Sequence, residues 1–182
     1  MEGRSRLLVE TVRAIRAETG NDFVISARLH AVELFDGGMP VEDSVRVAGI
    51  LKTAGADFIN ASGVGSASWE VAEGQMFLQT TSAPPATGNP GIYVPFAAKL
   101  RACGLPVAAV GRLAEPGAAQ AALEGGVDMV AIARQIIADP QSPKKLLMDR
   151  HQDINPCSQC LSCFQAIRAG GIRCPLNAAW VG

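Results

Sequence analysis

The chain has 182 residues, 48% hydrophobic and 18% charged, with a formal net charge of −1. This length suits one domain, or part of a larger one, and can bury a sizeable core. The balanced charge argues against nucleic acid or an acidic membrane as the main partner. No apolar run approaches membrane-spanning length, and MEGRSRLLVE lacks the apolar core of a signal peptide, so a cytoplasmic protein is expected.

Along the chain, helical patterns end at glycine and short apolar runs follow. Leu7, Leu8, Val12 and Ile15 fall at helical spacing in residues 5–19, then Gly20, then a predicted strand at 23–29. Val45, Ala48, Leu51 and Ala54 mark a helix over 42–54, then Gly55 and a strand at 58–61. Phe96, Ala97, Leu100 and Cys103 mark a third helix over 94–103, then Gly104 and a strand at 106–110. Pro116 is expected to open a fourth helix, which ends at Gly125-Gly126 before a strand at 129–133. Three joints share a signature: Gly20-Asn21-Asp22-Phe23, Gly55-Ala56-Asp57-Phe58 and Gly126-Val127-Asp128-Met129. Glycine supplies a left-handed cap, and the aspartate is expected to bond the backbone of its own turn. Four near-continuous apolar strands alternating with helices predict an α/β fold with a parallel sheet. Residues 30–41 and 62–92 read as long loops, the second a lid or substrate loop in which Trp69, Met76 and Phe77 could line a pocket or pack on the rim.

No GxGxxG follows the first strand and no Walker A lysine is present, so a Rossmann reading has no support. Three strands deliver an arginine to one rim: Arg28, Arg112 and Arg134. Gly111 and Ala133 are small enough for backbone amides to approach a phosphate, and the adjacent arginines supply charge. A phosphate-bearing cofactor is therefore expected, against the alternative of arginines capping strand ends in solvent. Asn60 and Ser62 close the second strand, where they could meet substrate or cap it. His30 reads as a loop histidine, His151 as surface, and Cys103 as a small buried hydrophobe. No pair of carboxylates has a spacing that suggests acid–base work.

Cys157, Cys160 and Cys163 repeat every third residue, and Cys174 follows before Pro175. Iron–sulfur clusters take four thiolates, often from such a run with a proline after the last. Structural zinc, which more often uses two separate C-x2-C pairs, and unligated buried thiols are the alternatives. Either metal implies a reducing compartment.

The segments GRSRLLVETVRAIR, DFVISARL, GGMPVED, AGADFINASG, PVAAVGRL, DMVAIARQIIADP and INPCSQCLSC with RCPLN together resemble the C-terminal half of the FMN-dependent Old Yellow Enzyme family. The nearest subgroup is the iron–sulfur flavoproteins typified by 2,4-dienoyl-CoA reductase and trimethylamine dehydrogenase. The resemblance implies strands five to eight of a TIM (β/α)8 barrel over residues 1–150 and a cluster-binding segment over 151–182. It implies that Arg28 sits at the pyrimidine end of FMN, and that Gly111, Arg112, Ala133 and Arg134 hold the phosphate end. Cys157, Cys160, Cys163 and Cys174 would then hold a [4Fe-4S] cluster. It further implies NAD(P)H as electron donor and an activated alkene or acyl-CoA as the small-molecule substrate. The first four strands of the family barrel, and the proton donor they carry, have no counterpart here, so no catalytic residue is assigned. A truncated or split chain is expected, one that pairs with its missing half or with itself. The alternative is a non-catalytic fragment or electron-transfer subunit. Two departures stand out: the cysteine run is tighter than in dienoyl-CoA reductase, and Gln135 stands where proline is expected.

Overall fold

The glycine-punctuated helix–strand pattern folds into an α/β structure. A computed structural model describes residues 2–64, 66–72, 75–81, 90–115, 117–167 and 170–177, with 66–72 and 75–81 described through their backbone alone. The chain divides into two units, Met1–Ala131 and Ile132–Gly182.

The first unit runs α1 (Glu2–Thr19), β1 (Ser26–Glu33), α2 (Val41–Ala54), β2 (Phe58–Val64), β3 (Ser66–Ala72), β4 (Gln75–Thr81), α3 (Val94–Leu100), β5 (Val107–Ala109), α4 (Ala118–Glu124) and β6 (Met129–Val130). Strands β1-β2-β5-β6 form one parallel sheet in that order, with Arg28 opposite Asn60, Ile59 opposite Val107 and Ala108 opposite Met129. Alternate strand residues form the core. Ala27, Leu29 and Ala31 of β1 and Ile59 and Ala61 of β2 are buried, together with Ala48 and Leu51 of α2 and Ala97 and Leu100 of α3. Each large apolar side chain so buried contributes roughly 1.5–3 kcal/mol. The intervening residues Arg28, His30 and Asn60 are less buried, so the sheet has an apolar face toward the helices and a polar face away from them. Gly55 ends α2 at φ 107, and its N–H bonds Leu51 and Lys52 carbonyls, as a left-handed cap requires.

The repeated aspartates reach further than the sequence suggests. Asp57 does not bond its own turn. It donates its N–H to Ile25 O and takes the Ile25 N–H on its carboxylate at 2.6 Å, while Arg16 of α1 binds the same oxygen at 2.6 Å. Asp128 repeats the device. Its N–H goes to Val107 O, its carboxylate accepts Val107 N–H at 2.9 Å, and Arg101 lies 3.1 Å away. Each aspartate thus grips the foot of the neighbouring strand at two points.

Other expectations are corrected. Strand one starts at Ser26 rather than residue 23, because Phe23 and Val24 lie exposed before the Asp57 grip, and it runs on to Glu33, so His30 lies inside the strand. The segment 62–92 is not all loop. Strand β2 continues to Val64, and β3 and β4 form an antiparallel hairpin with Trp69 opposite Leu78. Apolar residues alternate at 67, 69 and 71, a period-two signal that the sequence carries. The side chains of Trp69, Met76 and Phe77, and residues 82–89, lie outside the described set. Helix 94–103 is α3 followed by a 3-10 turn, Arg101–Cys103, and Cys103 is only half-buried. Pro116 lies outside the described residues, and α4 starts at Ala118. The fourth strand is shorter than 129–133. It is Met129–Val130, Ala131 N–H still reaches Ala109 O, and after β5 the chain leaves the extended conformation at Gly111 (φ 122) and Arg112 (φ 58).

The second unit is built of short helices: α5 (Arg134–Ala138), α6 (Ser142–Leu147) and α7 (Ser162–Ile167), with a 3-10 turn at His151–Asp153. Exposed His151 pairs with Asp149 at 3.0 Å. Among the described residues no helix is long and apolar enough to cross a membrane.

Two outcomes are expected in urea unfolding. A Cβ at Gly63 would meet the buried Tyr93 ring at 2.4 Å, so Gly63→Ala lowers stability by about 1–3 kcal/mol. Asp57 is held below its ordinary 3.8, first by the Ile25 N–H, with burial opposing and the hydrogen bond and charge of Arg16 lowering it further. Its ionised form therefore stabilises the fold above pH 3.8, and that contribution fades as pH falls through the lower folded-state value. The stability gap between the wild type and Asp57→Asn should be present at pH 7 and close in acid.

Candidate functional site

Arg28 lies on the polar face of the sheet and is anchored across it. Its Nη1 donates to Asn60 Oδ1 at 2.9 Å and its Nη2 to Ser62 Oγ at 3.1 Å. Asn60 stands opposite Arg28 in the register and Ser62 opposite His30, so the parallel pairing alone delivers both acceptors. Asn60 and Ser62 are therefore neither caps nor free polar groups; they orient the guanidinium. Both are neutral, so they fix the position of the charge without cancelling it.

Next to Arg28 on the same face, His30 Nδ1 lies 3.0 Å from Glu33 Oε1, and Glu33 Oε2 accepts the Met39 N–H at 2.8 Å. Burial alone would raise the Glu33 carboxyl, but the hydrogen bonds from His30 and Met39 hold it below its ordinary 4.5. Nothing in the sequence marked Glu33. The i, i+3 spacing from His30 brings them together through the irregularity between His30 and Val32.

Gly111 and Arg112 follow β5. Gly111 O accepts the Gly91 N–H at 2.8 Å, and Arg112 takes a left-handed φ of 58. That conformation costs a non-glycine residue of order 1 kcal/mol. The Arg112 side chain is 10% exposed and its Nη2 pairs with Glu115 Oε1 at 2.6 Å. In the second unit, Ala133 caps α5 and half-buried Arg134 is its first residue. The two pairs belong to different units and are each placed within their own.

Four cysteines stand at the far end of the second unit. Cys157 and Cys163 are half-buried, Cys160 is exposed and Cys174 is buried, all as free thiols. Gln159 and Leu161 both have φ 60, so the backbone reverses on alternate residues and coils the loop tightly. Helix α5 supports both limbs of the segment. Asp139 accepts the Asn155 N–H at 3.0 Å and binds Lys145 Nζ at 2.6 Å, and Ile137 O accepts Asn177 Nδ2 at 3.0 Å. The Asn155 side chain donates to Leu176 O, joining the limb before Cys157 to the limb after Cys174. Among the described residues no three thiol, imidazole or carboxylate groups gather around a single-ion site. One ion needs its sulfurs at about 2.3 Å from a common point, whereas a four-iron cluster offers each thiolate its own iron. Four free thiols on one braced segment are a donor set that suits either zinc or an iron–sulfur cluster.

Cys160 is shifted toward its thiolate. Hydrogen bonds from the Ser158 hydroxyl and then the Ser162 hydroxyl and amide lower it from 9.0 to about 7, with Ser162 Oγ 3.2 Å from the sulfur. Thiolate is both the metal-binding and the nucleophilic form. In the metal-free chain, iodoacetamide should label Cys160 with a pH midpoint of about 7. Ser158→Ala should move that midpoint up toward 9.0; peptide-resolved mass spectrometry reads both.

Residues 1–153 match the NADH:flavin oxidoreductase / NADH oxidase family. The chain is 32% identical to an NADH oxidase of Thermoanaerobacter brockii, over 97% of this chain and 26% of that protein. It is 29% identical to a cinnamate reductase of Clostridium sporogenes, over 88% of this chain and 25% of that protein. The structure of histamine dehydrogenase from Rhizobium sp. 4-9 matches with a TM-score of 0.74 at 24% identity, covering 98% of this chain and 25% of that one. The chain thus spans about a quarter of the length of these relatives. The parallel sheet and its helices are a partial TIM barrel, as the resemblance implied. With the match covering most of its length, the chain belongs to the NADH:flavin oxidoreductase / NADH oxidase family, of Old Yellow Enzyme type.

Proposed function

We propose that this chain forms the strand-five-to-eight part of an FMN-dependent NAD(P)H oxidoreductase that also uses a [4Fe-4S] cluster. The observation that carries the reading is Arg28, anchored by two neutral side chains with its charge uncompensated by them. FMN, when bound, supplies hydride transfer. The residues of the chain supply position and field. Arg28 places fixed positive charge at the pyrimidine end. Gly111 and Ala133 give backbone room at the phosphate, with Arg112 and Arg134 beside them. Cys157, Cys160, Cys163 and Cys174 provide thiolates, and the frame of Asn155, Asn177 and Asp139 braces their loop. The free thiols fit a reducing, cytoplasmic setting.

The substrate we assign is an activated alkene or an acyl-CoA carrying one. Relatives named cinnamate reductase and bilirubin reductase support the alkene class, while the dehydrogenases of dimethylglycine and dimethylamine support an amine. Because the chain covers a quarter of such relatives, a complete site on this reading needs the strands they carry beyond it. The second reading is an electron-transfer piece that binds the cluster and turns nothing over alone.

Flavin titration tests the core of the proposal. The wild type should bind FMN, and Arg28→Ala should weaken binding about tenfold, equivalent to about 1.4 kcal/mol, with Arg28→Lys between them. Equal affinity in Arg28→Ala overturns the flavin assignment. Anaerobic reconstitution with iron and sulfide should give a broad brown absorbance that is lost in Cys174→Ser. NADH consumption by the loaded chain distinguishes the enzyme from the electron-transfer piece.

A further inference from the structure

The second unit holds one buried side-chain amide whose two bonds converge on the cysteine loop. Gln135, on α5, is 5% exposed. Its Nε2 donates to Asn155 O at 2.8 Å, and its Oε1 accepts the Cys157 N–H at 2.9 Å. Both ends of a planar amide are thus engaged. The side chain cannot turn without breaking a bond, and the backbone from Asn155 to Cys157 cannot shift without breaking one either. An amide buried this deeply without partners would cost about 1–3 kcal/mol, so the pairing is enforced by its surroundings.

The remaining braces of the loop act elsewhere. Asp139 holds the Asn155 N–H, the Asn155 side chain holds Leu176 O, and Asn177 holds Ile137 O. At Cys157, Gln135 supplies the contact. It also follows Arg134 directly in the chain, so the segment that begins α5 carries both a candidate phosphate contact and the grip on the first thiol.

We propose that Gln135 is the positioning residue that presents Cys157 for cluster assembly and ties the cysteine loop to the segment bearing Arg134. This rests on the cluster reading above but concerns a residue that reading does not use. A thiolate ligand must arrive with its backbone set, because a cluster fixes its ligand directions once it forms. Holding the Cys157 N–H also keeps that donor away from the cluster sulfurs, where hydrogen bonds tune the reduction potential.

The test uses the metal-free chain and Gln135→Leu and Gln135→Glu. Glutamate keeps the acceptor for Cys157 and loses the donor for Asn155. By NMR-detected hydrogen exchange, the Cys157 amide should be protected in the wild type and in Gln135→Glu. In Gln135→Leu it should exchange at least tenfold faster, while the Asn155 amide, held by Asp139, stays protected. After anaerobic reconstitution, iron per chain should fall at least twofold in Gln135→Leu and be largely rescued in Gln135→Glu. If Cys157 exchanges alike in wild type and Gln135→Leu, the clamp is overturned, whatever the chain binds. If exchange quickens but loading is unchanged, the positioning role is overturned and only a local contact remains. If the wild type takes up no iron while the exchange pattern holds, the cluster reading fails and the clamp on Cys157 stands.

Discussion

Strand register is the constraint on which the rest of this structure depends, and two aspartates secure it. Asp57 and Asp128 each join the foot of one parallel strand to the foot of the next with a reciprocal pair of bonds, and an arginine from a preceding helical segment backs each carboxylate. A slip of one residue would exchange the two faces of a strand. Arg28 would then turn into the helix-covered core and Leu29 would face away from it. The function proposed for Arg28 is thus decided at the opposite end of its strand.

The arginines singled out by sequence occupy different electrostatic settings. Arg28 is held by an amide and a hydroxyl, neither of which neutralises its charge. Arg112 is shielded from water and paired with Glu115, which offsets much of its field. An anion beside Gly111 would therefore owe more to backbone amides and the shape of the turn than to net charge. Replacing Arg28 by lysine is not conservative, because its planar guanidinium reaches Asn60 and Ser62 from two separate nitrogens in a fixed fork.

Much of the architecture could be read from the residues. Glycine caps and apolar runs marked the four parallel strands and the helices between them. Boundaries were harder wherever tertiary contacts overrode local pattern. Phe23 and Val24 look like strand residues but lie outside the gripped sheet, and β6 is shorter than its apolar run, pairing only through Met129 and Val130. The hairpin was legible in the alternation of Ala67, Trp69 and Val71 but was obscured by the Gly- and Pro-rich stretch after it. At the site, residue types identified Arg28 and the cysteines. The partners of Arg28 depended on which strand residue stands opposite which. Glu115 and Glu33 emerged only from folded geometry, whereas Gln135 was visible as a departure from the expected proline with no reason attached. A proline there has no side-chain amide, so the difference has a physical meaning only once Cys157 and Asn155 are placed beside it.

The loop around Cys160 carries a liability as well as a capacity. An exposed sulfur whose thiolate is favoured by the Ser158 and Ser162 hydrogen bonds is open to peroxide, which oxidises it to sulfenic acid, and this condenses with any accessible thiol. In the metal-free chain, air and trace oxidants would therefore crosslink neighbouring molecules through this position. Covalent pairs in aged preparations would then report storage chemistry rather than a native assembly.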